Sequence, residues 1–179
     1  MTKVSEVYKT KPEVFENEVQ KEAYEVLEKL NIPFERVDTS DAITMEDCIE
    51  IDNKLNVKTV KTLLLCNRQK TNFYMFVTTA NKMFSTKKFS EQLGISRVSF
   101  ATEEMLANLL GTKIGATTIF SMLLDKEQKV NLVIDKDILT EEDYGCADGT
   151  FNCYMKLKMD DVMNKLIPYS KHTKKVIEM

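Results

Sequence analysis

Lys61 heads the run Lys61-Thr62-Leu63-Leu64-Leu65-Cys66, which otherwise reads as a buried strand. A lysine in such a place must snorkel its amine to water, pair with an acid, or line a cavity. In a cleft, its compact charge would fix a phosphate or polarise a carbonyl. At a plain strand end it is a solvated amine. A second stretch is Gly111-Thr112-Lys113-Ile114-Gly115-Ala116-Thr117-Thr118. Its small residues let a ligand approach the backbone, whose amides would hold a carbonyl oxygen or phosphate. The plainer reading is a helix C-cap at Gly111 followed by a turn. A third is Tyr144-Gly145-Cys146-Ala147-Asp148-Gly149-Thr150, in which Asp148-Gly149 is a hairpin-turn pair.

Histidine and cysteine exclude much chemistry. His172 is the only histidine, which argues against a His-dependent triad or a multi-histidine metal site. The four cysteines, at 48, 66, 146 and 153, form no Cys-x-x-Cys pair, so no zinc site and no disulfide are expected. Cys146 has no nearby histidine to activate it as a nucleophile. An enzyme built from this chain would use lysine, carboxylates, hydroxyls, backbone amides or its own substrate. Lys82, Lys87, Lys88, Arg97, Lys171, Lys174 and Lys175 would suit RNA phosphates, or form an ordinary solvated surface.

The elements that position these residues alternate in type. Pro12 opens a helix whose apolar residues, from Val14 and Phe15 to Leu30, follow a 3.6 period. Ile32 to Val37 is a strand near an edge. Thr44 caps a helix that presents Met45, Cys48, Ile49 and Leu55. Val60 to Asn67 and Phe73 to Thr79 form a hairpin pattern. Ser85 to Leu93, closed by Gly94, is a helix, and Arg97 to Ala101 a short strand. Thr102 caps a helix ended by Gly111. Ile119 to Leu124, Val130 to Ile134 and Thr150 to Leu157 are further strands, and Met159 to Ile167 a last helix stopped by Pro168. The pattern predicts a single mixed α/β (α+β) domain with a mainly antiparallel sheet. Residues 1–11 form a flexible N-terminal segment, 12–170 the domain, and 171–179 a tail.

The chain has 179 residues, 43% apolar and 30% charged, which is enough for a core without metal or disulfide. No apolar run approaches the roughly 20 residues of a membrane helix, and the N-terminus lacks a signal's apolar core. The expected location is cytoplasmic, with no membrane partner. A net charge of -3 argues against a DNA-coating protein.

Several stretches, in order, resemble the YbaK/prolyl-tRNA synthetase editing-domain family, and its free-standing prolyl-tRNA deacylase-like branch above all. They are Leu30 to Asp38, Cys48 to Asp52, Lys61 to Arg68, Phe84 to Lys87, Gln92 to Ala101, Leu132 to Asp135 and Tyr144 to Cys146. The resemblance spans roughly residues 15 to 170 and implies a mainly antiparallel sheet curled into a partial barrel and flanked by helices. It implies hydrolysis of the ester of mischarged aminoacyl-tRNA, without metal, cofactor or protein nucleophile. The family's strand lysine, which positions the terminal adenosine and ester, falls on Lys61. Its Gly-x-x-x-Pro loop falls on Gly115-Ala116-Thr117-Thr118-Ile119, whose amides would hold the aminoacyl group and attacking water.

Four departures stand out. Ile119 replaces the loop's proline, and Ser121 a frequent glycine. Ala147-Asp148 replaces a His-Pro, and Phe151-Asn152 an Asn-Thr. Ala147 and Asp148 are expected to line the substrate pocket, with Asp148 offering a negative charge to an α-ammonium group, or only to make a turn. The partner implied is the 3′ end of aminoacyl-tRNA, with alanine on the proline tRNA as the expected charge, and transient association with prolyl-tRNA synthetase. The other reading is a non-catalytic member that binds aminoacyl-tRNA or an amino-acid-like ligand as a sensor.

Overall fold

The computed structural model describes residues 3–40 and 44–179; the side chain of Met45, expected on an apolar helix face, lies outside the described residues. Helix α1 (Glu18–Lys29) starts at Asn17, whose side chain accepts from the Gln20 amide. It begins later than Pro12 suggests, because that cap lies further along the chain. Strand β1 (Glu35–Asp38) follows, then α2 (Met45–Leu55), opened by a Thr44/Asp47 capping box and closed by Asn56 in the left-handed region. Strands β2 (Val60–Cys66) and β3 (Phe73–Thr79) pair antiparallel along their full length. The Asn67 side chain folds their loop by accepting from the Thr71 and Asn72 amides.

Helix α3 (Thr86–Leu93) has a Ser85 cap and a Gly94 stop, and α4 (Glu103–Leu110) has Thr102 and Gly111. Between them, β4 (Ser99–Phe100) pairs with the end of β2. Then come β5 (Val130–Asp135), β6 (Asp143–Ala147) and β7 (Cys153–Lys158). The chain ends through α5 (Met159–Asp161), a π-helical turn Val162–Leu166, α6 (Ile167–Ser170) and β8 (Lys174–Ile177).

Four expectations change here. Ile119–Leu124 is a 3-10 helix, not a strand. Pro168 does not stop the last helix; it sits in the first turn of α6, just after the π-helical turn, where its missing N–H costs little. Residues 4 and 8 do not trail away but form bridges with Thr39 and Arg36 beside β1. The expected tail contributes β8.

The strands form two sheets, β1-β7-β6 and β4-β2-β3-β5-β8. Most pairings are antiparallel, but β3-β5 and β5-β8 are parallel. Those pairs are joined by long crossovers rather than short turns, which is what parallel pairing requires. One isolated parallel bridge, Thr59–Gly145, links the sheets. The whole curls without closing into a barrel.

Gly145 is required at that junction. A Cβ there would lie 2.8 Å from Val57 Cγ1 and 3.0 Å from the Thr59 Cα. Inside the curl, Leu64, Met75, Val77, Leu132, Tyr144 and Met155 join α1, α4 and the 3-10 helix in the main core. On the outside, α3 packs Phe89 over Leu65, Phe76 and Val133, and α2 packs Ile51 and Leu55 over Val37 and Tyr154.

Candidate active site

Strand alternation settles which side Lys61 takes. Leu63 and Leu65 pack in the outer cluster beneath α3, and Lys61 shares their face. Thr59, two residues earlier, bridges Gly145 in parallel. Ala147 lies two residues beyond Gly145, so it points to the same outer face as Lys61. Lys61 and Ala147 thus lie on the same outer face, but the Ala147 side chain packs beneath α2 with Val37, Ile51, Leu55 and Tyr154, which corrects the expectation that it lines a substrate pocket.

The Lys61 amine donates to the Lys82 carbonyl oxygen at 2.7 Å. The Lys82 amine in turn donates to Asp135 Oδ2 at 2.7 Å and Asp137 Oδ2 at 2.6 Å. The Thr78 hydroxyl adds a bond to Asp135 at 2.6 Å. Burial alone would raise the Asp135 carboxyl, but the bonds from Lys82 and Thr78 outweigh it and hold it below the ordinary carboxylate range. Burial would lower the Lys82 ammonium, yet its two acids raise it. Together these bonds brace the segment that carries the carbonyl holding Lys61.

The glycine loop lies at the far end of β6. The Thr118 hydroxyl donates to the Ala147 carbonyl at 2.7 Å, which ties the loop to the strand. The Thr118 amide donates to Ser121 Oγ, and the Ser121 amide to the Thr118 carbonyl, so the 3-10 helix starts firmly. The Ala116 amide donates back to the Lys113 carbonyl at 3.0 Å. Among the described residues, the amides of Gly115 and Thr117 carry no hydrogen bond. Gly115 has φ +87°, a conformation that suits glycine, and it is exposed.

The other expected loop residues divide by burial. Thr117 is half-buried, whereas Ala116 and Thr118 are buried. Ile119 is 0% exposed within the main core. It replaces the family's proline as an apolar anchor and does not face a ligand, which corrects the expectation for it.

Asp148 is also corrected. It is fully buried, and both carboxylate oxygens are occupied. Gln20 Nε2 and the Tyr24 hydroxyl each donate to Oδ2 at 2.9 Å. The Thr150 amide and hydroxyl donate to Oδ1 at 3.2 and 2.7 Å. Asn17 Nδ2 donates to the Gly149 carbonyl beside it. Asp148 therefore locks the 147–152 turn to α1 and presents no charge to the surface. Gln20 and Tyr24, more than a hundred residues away, could not be singled out from local sequence.

Phe151 also takes a part that the spacing did not reveal. A Cβ placed on Gly115 would sit 3.2 Å from Phe151 Cε1, so the ring lies directly beside the loop. It remains 40% exposed.

The cysteines and the histidine stand outside this arrangement. The four cysteines are unpaired. Burial pushes the Cys146 thiol up to about 12, and burial then the Asp148 charge raise Cys153 further. Neither is a thiolate at neutral pH. His172 is buried against Asp125, with Nε2 2.8 Å from Oδ2. Among the described residues, no helix is long and apolar enough to cross a membrane.

Comparison with known proteins shows the family to which this fold belongs. The aminoacyl-tRNA editing domain matches residues 39–165, a span that holds Lys61, the glycine loop and the 147–152 turn. The chain is 24% identical over 153 residues to the prolyl-tRNA editing protein ProX of Acetoanaerobium sticklandii, covering 86% of this chain and 93% of that one. It is 25% identical over 121 residues to prolyl-tRNA synthetase associated domain-containing protein 1 of Danio rerio, covering 68% and 65%. A solved structure described as a candidate trans-editing enzyme for prolyl-tRNA synthetase superposes with a TM-score of 0.60 at 15% identity, covering 90% and 97%; at that identity the likeness shows a shared fold. With most of its length matched and the site positions inside the match, the chain belongs to the aminoacyl-tRNA editing domain family.

Proposed function

We propose that this protein is a trans-editing hydrolase that cleaves the ester of mischarged aminoacyl-tRNA, with a small amino acid such as alanine on the proline tRNA as substrate. The observation that carries the reading is the pair of unbonded amides, Gly115 and Thr117, in a loop tied through Thr118 to Ala147. A water attacks the ester carbonyl carbon, and the oxyanion is held by these amides. The carbon–oxygen bond to the ribose then breaks. The tRNA hydroxyl leaves with a proton moved by the neighbouring ribose hydroxyl, and the amino acid departs free.

Lys61 fixes the 3′ end as a point charge after exchanging its bond to the Lys82 carbonyl for one to the substrate. No cysteine or histidine takes part. Similarity to a prolyl-tRNA editing protein supports the proline tRNA, and a site of action beside prolyl-tRNA synthetase in the cytoplasm follows the same reading. Exclusion of a larger cognate amino acid by the loop wall would be double-sieve selection.

A non-catalytic sensor is the second reading. The Phe151 ring beside Gly115 favours it, because the ring narrows the approach to the loop. A deacylation panel over several aminoacyl-tRNAs, including alanyl-tRNA with the proline anticodon, separates the two. Hydrolysis of one or more supports the enzyme. Binding without hydrolysis supports the sensor.

A further inference from the structure

The outer face that carries Lys61 continues into an exposed aromatic ridge. Phe100 is 57% exposed and Met83 93%. Phe100 stands in register with Leu65 and so shares the face of Leu63 and Lys61. Four residues along β2 place the ridge roughly 13 Å from the lysine. The Phe100 ring meets Phe84 edge-on at 5.6 Å, and Phe84 packs on Phe76 and Phe89, each at 5.7 Å. The exposed ring thus rests on a firm base.

Cations cluster on the α3 side of the ridge, while the exposed acids Glu103 and Glu104 open α4 beyond Phe100. Residues 82–100 hold Lys82, Lys87, Lys88 and Arg97 against the single acid Glu91, in a chain whose net charge is -3. Lys82 is taken by Asp135 and Asp137. Lys87, Lys88 and Arg97 are exposed and form no ion pair among the described residues. The Arg97 Nε donates to Thr86 Oγ1 at 3.4 Å, which keeps the guanidinium beside the start of α3. A flat apolar ring with free cations along its α3 side suits a strand whose bases stack and whose phosphates are anionic. A second copy of the chain would bring the same cations face to face.

We infer that this ridge is the docking surface for an unpaired RNA 3′ strand, with a base stacked on Phe100 and phosphates beside Lys87, Lys88 and Arg97. The inference rests on the proposed function, since Lys61 then receives the end of that strand.

The test uses the full chain and an uncharged, fluorescent RNA hairpin that copies the proline tRNA acceptor stem and ends in an unpaired CCA. Anisotropy gives its affinity. Phe100→Ala should weaken binding about tenfold or more. Lys87→Glu/Lys88→Glu, on an exposed helix surface, should weaken it and flatten the salt dependence by roughly 0.7 in log–log slope for each phosphate no longer neutralised. A blunt-ended hairpin should bind as weakly as the Phe100→Ala variant binds the CCA hairpin. Lys21→Glu/Lys126→Glu, an equal charge change away from the ridge, should cost less than the Lys87/Lys88 pair.

Wild-type affinity in both the Phe100→Ala and Lys87→Glu/Lys88→Glu variants would overturn the inference. So would light scattering that shows the wild type to be a dimer split by Phe100→Ala, with no change in RNA affinity. If the hairpin binds as expected but no mischarged tRNA is hydrolysed, the docking surface stands and the hydrolase reading falls.

Discussion

Replacing Asp148 with alanine should destabilise the protein by about 3–5 kcal/mol, with most of the cost coming from stranded donors. Four donors converge on its carboxylate. The Thr150 amide and hydroxyl lie in the turn and can find new partners as it relaxes. The Gln20 amide and Tyr24 hydroxyl belong to buried side chains on α1, and the hydroxyl would keep only the Cys153 sulfur, a weak partner at 3.4 Å. Each stranded group costs about 1–3 kcal/mol, and freeing the turn from its anchor adds to that. Asp148→Asn keeps the shape and one accepting oxygen, so its cost should be roughly half. Urea unfolding followed by circular dichroism measures both. With a slope of about 2 kcal/mol per molar, the midpoint of the alanine variant should fall by about 2 M at unchanged slope. A fall below about 0.5 M would refute the bracing role. A variant of wild-type stability that had lost ligand binding would return Asp148 to the site.

Three more outcomes follow from the same structure. Gly115→Ala places a side chain at φ +87° beside the Phe151 ring, so it should cost about 1–2 kcal/mol in melting experiments and lower single-turnover deacylation at least tenfold, as roughly expected for displaced oxyanion donors. Phe151→Ala should leave the melting temperature within a few degrees and widen the aminoacyl groups accepted in the deacylation panel; an unchanged panel would remove Phe151 from selectivity. Lys82→Met leaves Asp135 buried without its cation and should cost about 3–5 kcal/mol at neutral pH. The folded Asp135 carboxyl lies below its unfolded value, so its stabilisation is present above about pH 4 and lost as pH falls through the folded value. The folded Lys82 ammonium lies above its unfolded value, so its share holds below about pH 10 and fades as pH rises through the folded value. Urea midpoints of wild type and variant across pH should therefore differ by a constant amount between about pH 5 and 9 and converge in acid.

Local signals carried most of the helices. Thr44, Ser85 with Gly94, and Thr102 with Gly111 mark caps whose chemistry is written within four residues, and all three frame helices as read. Ile119-Phe120-Ser121-Met122-Leu123-Leu124 misleads because an apolar run shows no period, and its Thr118/Ser121 bonds wind it into a 3-10 turn instead. Strand β8, with two lysines among its four residues, looks like a tail until β5 offers it an edge. The parallel β3-β5 pairing depends on how far the chain travels between them, which no residue type records.

At the site, the resemblance pointed to Lys61, Gly115 and Ala147, and strand alternation places Lys61 and Ala147 on one face. The burial of Asp148 was illegible because its partners Gln20 and Tyr24 are 128 and 124 residues distant. The approach of Phe151 to Gly115 likewise joins segments separated by two strands in sequence.

The most direct test of the account is the single-turnover hydrolysis of alanyl-tRNA carrying the proline anticodon by wild type and Lys61→Ala. Lys61 is half-buried at a strand end, and its truncation opens no core cavity, so the variant should unfold at nearly the wild-type urea midpoint. Wild type should strip the ester rapidly, and the folded variant should do so roughly tenfold or more slowly. Equal rates for the two proteins, both well above the spontaneous rate, would contradict the place given to Lys61. Hydrolysis no faster than the spontaneous rate with wild type, there and across the panel, would contradict the assignment of deacylation itself.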